Sequence, residues 1–173
     1  TELKQLRVMR RLNDEHPMDI VSTYMGAHAT PAEWKGREEE FLDFNINEVM
    51  PVVAKEKLAE CADIFCEKNV FSIEQSRRYL NAAREYGFKL KIHADEIVQF
   101  GGAELAAELG CLSADHLLQA SDEGIKAMAK VGVVATILPL TAFSLREEFA
   151  RARTMIDSDC IVALATDLNP GSS

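Results

Sequence analysis

Leu90-Lys91-Ile92-His93-Ala94-Asp95-Glu96 is the stretch on which the fold turns. The apolar lead-in reads as a buried strand, and that strand ends in an imidazole and two carboxylates. A strand holds its residues rigidly, and the turn after it lets a side chain three positions on swing back toward the same point. His93 can therefore bind a metal ion while Glu96 works on whatever the ion activates. A strand capped by solvated acids has the same wording, so this pattern alone leaves both readings open.

Working outward, a helix-then-strand order repeats along the chain. Leu3, Leu6, Met9 and Leu12 recur at helical spacing before His16-Pro17, where His16 is expected to end the helix, and a strand-like run follows from Asp19 to Met25. Helices are expected near 46–60, 72–86, 101–109, 121–131 and 146–157, with strands at 62–66, 88–94, 112–116, 133–138 and 160–166. The punctuation agrees: Ser72 with Gln75 forms a capping box, Gly87 and Gly110 stand where helices should stop, and Ser121-Asp122-Glu123 opens another. Trp34 is expected on a surface loop and Glu38-Glu39-Glu40 at a solvated helix start.

Six strands alternating with helices imply an α/β protein with a parallel sheet, because each crossover must carry the chain back over the sheet face. A doubly wound sheet and a (β/α)8 barrel both fit. No Gly-x-Gly-x-x-Gly follows a strand, so the dinucleotide-binding version of the first lacks support. His28 follows the first strand, Glu67 the second, His93 and Glu96 the third, Asp115 and His116 the fourth, and Asp167 with Asn169 the sixth. These are carboxyl ends, which converge on one face of a barrel, so a portion of a (β/α)8 TIM barrel is the expected fold.

At 173 residues and 47% hydrophobic, the chain can bury one sizeable core. Its 28 Asp and Glu against 19 Lys and Arg give a formal net charge of -9, which repels a nucleic-acid backbone and an anionic membrane. Arg7, Arg10 and Arg11 are expected on a solvated face, balanced by Asp14 and Glu15. Cys61, Cys66, Cys111 and Cys160 make no Cys-x-x-Cys pair and read as buried, reduced thiols. No apolar run approaches the roughly 20 residues of a membrane span, and a cytoplasmic setting is expected.

Histidines and an aspartate at the ends of separate strands can meet around a single divalent ion, and imidazole with carboxylate suits zinc or iron better than magnesium. The tail Ala163-Leu164-Ala165-Thr166-Asp167-Leu168-Asn169-Pro170-Gly171-Ser172 delivers an aspartate from a strand. Its turn then offers an amide, an approachable glycine backbone and a hydroxyl, a set suited to a carboxylate. An ordinary Asn-Pro-Gly turn has the same residues.

Gly26-Ala27-His28-Ala29-Thr30-Pro31, Asp63-Ile64-Phe65-Cys66-Glu67, Val70-Phe71-Ser72, Lys91-Ile92-His93-Ala94-Asp95-Glu96, Ser113-Ala114-Asp115-His116 and Ala165-Thr166-Asp167-Leu168-Asn169-Pro170-Gly171-Ser172 together resemble the imidazolonepropionase family of the amidohydrolase superfamily. The likeness covers essentially the whole chain, in motif order and spacing. It implies metal-dependent hydrolysis of the cyclic amide of 4-imidazolone-5-propanoate to N-formimidoyl-L-glutamate, in histidine degradation. By the same resemblance, His93 and Asp167 hold one zinc or iron ion, and Asp167 accepts the proton of the activated water. Glu96 contacts the imidazolone ring, His116 polarises the scissile carbonyl, and His28 touches substrate. Asn169, Gly171 and Ser172 hold the propanoate, with Ser172 standing where the family has threonine. A homodimer is implied as well.

The superfamily's His-x-His pair on the first barrel strand does not occur in these residues. Residues 1–173 are therefore expected to be an internal part of the metal-dependent hydrolase barrel, covering roughly strands three to eight, without the His-x-His strand and the small β-sandwich domain. A six-stranded arc alone is expected to bind metal poorly and to turn over nothing. Another mononuclear amidohydrolase, such as a cytosine- or guanine-type deaminase, remains a rival, as does a non-catalytic barrel scaffold. The turn after Asp167 discriminates, since a neutral nucleobase has no carboxylate for Asn169, Gly171 and Ser172 to bind.

Overall fold

The computed structural model describes residues 2–170. Six strands, β1 (Thr23–Ala27), β2 (Cys61–Cys66), β3 (Lys89–Ala94), β4 (Ser113–His116), β5 (Val134–Ile137) and β6 (Val162–Leu164), form one sheet in the order of the sequence. Every neighbouring pair is parallel. A doubly wound sheet would reverse its order at a switch point, whereas sequential order is what successive barrel units produce.

Helix α1 (Glu2–Glu15) precedes β1, and His16 follows its last turn with its N–H on the Leu12 carbonyl at 2.8 Å. Its basic residues are exposed, as expected, and find partners there: the Arg7 guanidinium grips the Glu56 carboxylate at 2.6 and 2.9 Å, and Arg10 donates to the Glu56 carbonyl. Arg11 pairs with Glu15 as expected, at 2.7 Å.

Between β1 and β2 the helix expected over 46–60 starts earlier and stops sooner. It runs as α2 (Glu38–Phe44), a π-helical turn (Asn45–Val49) and α3 (Met50–Lys55). The three acids after Arg37 suit the positive end of a helix dipole. The π turn is anchored where Asn45 accepts the Tyr24 hydroxyl at 2.5 Å and donates to the Phe41 carbonyl at 2.8 Å. Trp34, expected on a loop, lies in a short 3-10 turn (Ala32–Trp34) and packs on Phe41 and Phe44, with Arg37 over its ring.

The remaining crossovers are α4 (Ile73–Glu85), α5 (Gly102–Leu109), α6 (Asp122–Val131), α7 (Pro139–Leu145) and α8 (Ala152–Asp157). Ser72 and Gln75 form the reciprocal capping box, and Ser121 caps α6 through the Gly124 N–H at 2.8 Å. The helix expected over 146–157 forms only in its second half, as α8, and an unexpected helix, α7, precedes it and ends at Arg146 in the left-handed region at φ 61.

Alternation along the strands separates the chemistry from the core. Ala62, Ile64 and Cys66, Leu90, Ile92 and Ala94, and Ala114 belong to the apolar core shared with Leu80, Ala83, Leu105, Ala106, Ile125 and Met128 of the helices. The intervening residues fall in two registered rows on the other face. Asp63, Lys91, Ser113 and Val134 form one, and Phe65, His93, Asp115, Thr136 and Ala163 the next toward the carboxyl ends. At the junction of β3 and α5, a Cβ on Gly102 would lie 2.7 Å from the Ala94 Cβ, so glycine is what lets the helix sit on the strand end.

Candidate active site

The carboxyl ends of the strands open into a cleft of about 790 Å³ lined by His28, His93, Glu96, His116, Asp167 and Asn169, with Phe65, Ile97 and Leu168 among the apolar walls. These six residues, expected from sequence, come from segments as far apart as β1 and β6, and one cavity gathers them. Gly171 and Ser172 lie outside the described residues.

The three histidines pack as a group. His28 stacks on Phe65 with centroids 5.4 Å apart and meets the edge of His93 at 5.0 Å, and His93 lies 5.1 Å from His116. Proximity and burial divide their charge. Burial opposes a charge on His93, but the Asp63 carboxylate, 2.7 Å from its Nδ1, outweighs it and raises the imidazole to about 9. His116, buried and facing His93, is pushed down to about 4, so it is neutral near pH 7. His28 is lowered by burial and by His93.

Glu96 owes its place to two buried carboxylates that sequence reasoning did not connect with it. Asp95 follows β3 in the left-handed region at φ 49. Its carboxylate accepts the N–H groups of Phe100, Gly101, Gly102 and Ala103 at 2.7, 2.9, 3.2 and 2.8 Å, fastening the strand end to the start of α5. Glu67, at the end of β2, accepts the Ile97 N–H at 2.9 Å with one oxygen and the Lys68 N–H at 2.8 Å with the other. Glu96 is thus held between two pinned neighbours, with Oε1 3.5 Å from Nδ1 of His116. Burial, then the charges of Asp167 and Glu67, raise its proton affinity against the pull of His93.

His116, Leu117 and Asp167 also adopt positive φ, at 76, 59 and 53. Non-glycine residues in that region cost energy and concentrate at functional sites. Asp167 is held through Oδ2, which accepts the Thr141 hydroxyl at 2.8 Å, while the Asn169 side-chain amide donates to the Asp167 carbonyl at 2.8 Å. Thr141 carried no signal in the sequence.

Among the described residues, the three-donor group that could hold a metal is Asp63, His93 and Asp115, whose ligand atoms lie within 4.8 Å of one another. Asp167, expected as the partner of His93, stands outside it. Asp115 already accepts the Ser113 hydroxyl at 2.9 Å and pairs with the Lys91 ammonium at 3.1 Å. Nδ1 of His93 is taken by Asp63, and both His93 and Asp167 line the cleft. An imidazole nitrogen and a carboxylate oxygen are a donor set that fits zinc or iron.

Relatives match along the whole chain. It is 70% identical to the imidazolonepropionase of Bacteroides thetaiotaomicron and 66% identical to that of Clostridium tetani, each over 99% of this chain. It spans 42% and 41% of the length of those two curated relatives. No family model matches. Among solved structures, a guanine deaminase from C. acetobutylicum with bound guanine aligns over 98% of this chain and 44% of its own, with TM-score 0.68 at 12% identity. An adenosine deaminase from Xanthomonas campestris with bound zinc aligns over 96% of this chain and 40% of its own, with TM-score 0.66 at 15% identity.

Sequential parallel strands with histidines and acids at their carboxyl ends, in a fold shared with those deaminases, define part of a (β/α) barrel. Within that fold the chain is 63–70% identical, along its whole length, to curated members of the imidazolonepropionase family.

Proposed function

We propose that the protein carrying this chain hydrolyses the cyclic amide of 4-imidazolone-5-propanoate to N-formimidoyl-L-glutamate, using one zinc or iron ion held by His93 and Asp167. The observation that carries it is the convergence of His28, His93, Glu96, His116, Asp167 and Asn169 on one cleft. Identity of 63–70% to curated imidazolonepropionases supports the choice of substrate. Further ligands of the His-x-His type do not occur in these 173 residues.

A divalent ion, when bound, supplies a water whose pKa is lowered toward neutrality. Asp167, which lines the cleft, would take that water's proton on its carboxylate. His116, neutral because it is buried beside His93, can donate an N–H to the scissile carbonyl and stabilise the charge that develops on its oxygen. Glu96, with raised proton affinity, can meet a ring N–H as a carboxylate or share a proton with the ring as a carboxylic acid. His28 and Phe65 form a stacked wall against which the flat ring can lie, and Asn169, with Gly171 and Ser172, is assigned to the propanoate.

We infer a cytoplasmic enzyme with a small-molecule substrate, acting as a homodimer. Four buried, unpaired cysteines support a reducing compartment. No helix of the described residues is long and apolar enough to cross a membrane. An assay of a full-length protein carrying this sequence, offered imidazolone propanoate, cytosine and guanine in parallel, tests the proposal. Turnover of the first alone is expected, and deamination of a nucleobase in its place would overturn it.

A further inference from the structure

We propose that Asp63 is a positioning residue for the metal centre: it holds the Nδ1 proton of His93 so that Nε2 is the nitrogen presented to the ion. This assignment rests on the metal-dependent function proposed above.

Asp63 is 1% exposed and His93 9%, and Oδ1 of the first lies 2.7 Å from Nδ1 of the second. In the strand register His93 faces Phe65, and Asp63 stands two positions earlier on β2, opposite Lys91. The carboxylate therefore grips the ring from the row behind, away from the carboxyl ends where Glu96 and His116 stand. A neutral imidazole has one protonated nitrogen, and an acceptor on Nδ1 leaves Nε2 free for a metal. Carboxylates in this relation to a ligating histidine fix its tautomer and orientation.

The alternative is an ion sitting among Asp63, His93 and Asp115 themselves. An ion taken there by Nδ1 would have to displace the proton from its 2.7 Å bond with Asp63. It would also sit against the Lys91 ammonium, which is 3.1 Å from Asp115. Binding through Nε2 requires neither. The second oxygen of Asp63, Oδ2, is buried with no hydrogen-bond partner among the described residues. Burying an unpaired acceptor is a cost that fold stability alone would not maintain, and it keeps negative charge beside His93.

A full-length protein carrying this sequence is stripped of metal and titrated with Zn²⁺ against a chelator, and its Co²⁺ form is examined by visible spectroscopy. Asp63→Ala is expected to weaken zinc binding about 10–100-fold and to shift the cobalt bands. Asp63→Asn keeps an acceptor oxygen for Nδ1 and should restore most of the affinity, which supports the assignment even if Asp63→Ala does not fold. Asp115→Asn should leave zinc affinity nearly unchanged. Wild-type affinity with unchanged cobalt bands in Asp63→Ala would overturn the assignment. Loss of zinc binding in Asp115→Asn but not in Asp167→Asn would also overturn it, by placing the ion on the Nδ1 side. A wild-type protein that takes up no zinc overturns the proposed function instead. In that case Asp63 is judged by NMR of the metal-free protein, where a slowly exchanging His93 Nδ1 proton, lost in Asp63→Ala, supports its role and an unaffected signal refutes it.

Discussion

Glu67 at the end of β2 accepts the backbone N–H of Ile97 at 2.9 Å, tying the loop that carries Glu96 to a strand 30 residues earlier. Glu67 is 1% exposed, and removing its carboxylate leaves the Ile97 and Lys68 amides without their partner. Glu67→Ala is expected to cost about 1–3 kcal/mol in a denaturant titration. In the full-length protein it should raise KM by releasing Glu96, with a smaller effect on kcat.

Asp95 makes a sharper prediction, because one carboxylate serves four amides at the start of α5. Asp95→Ala should destabilise the fold by more than about 3 kcal/mol, which chemical denaturation would show. Asp95→Asn retains an oxygen for part of the set and should cost much less.

Gly102→Ala tests the contact between α5 and β3. The added methyl would stand 2.7 Å from the Ala94 Cβ and 3.0 Å from its Cα, neither of which is the end of a flexible chain. A loss of about 1–3 kcal/mol in thermal or denaturant unfolding is expected.

The four cysteines should resist thiol reagents in the folded protein. Burial pushes Cys66 and Cys111 up to about 12 and raises Cys61 and Cys160 as well. The nucleophilic thiolate therefore becomes abundant only as the pH approaches those raised values, and at pH 8 a native-state thiol titration should be slow. Four thiols should react promptly once denaturant is added.

The site was legible in the sequence to the extent that its residues stand at strand ends. His28, His93, Glu96, His116 and Asp167 each follow a recognisable apolar run, and parallel strands deliver such residues to one side. Asp63 was not legible as a partner of His93, because the pairing depends on strand register, which no local pattern states. Glu67 looks like a further site acid and Asp95 like a structural neighbour of His93, and that the oxygens of both are spent on backbone amides is visible only once the loop is folded. Thr141 escaped because its hydroxyl reaches Asp167 from the helix after β5, 26 residues away. Helix limits failed where local chemistry intervened, at the π turn held by Asn45 and at Arg146 between α7 and α8.

Paired measurement of metal content and turnover of imidazolone propanoate in a full-length protein carrying this sequence, as wild type, His93→Ala and Asp167→Asn, tests the central claim most directly. The wild type is expected to hold about one zinc or iron ion per chain and to release N-formimidoyl-L-glutamate. His93→Ala should lose most of its metal, and Asp167→Asn should fall about 10²–10⁴-fold in kcat/KM. Full activity and full metal content in both variants would contradict the account.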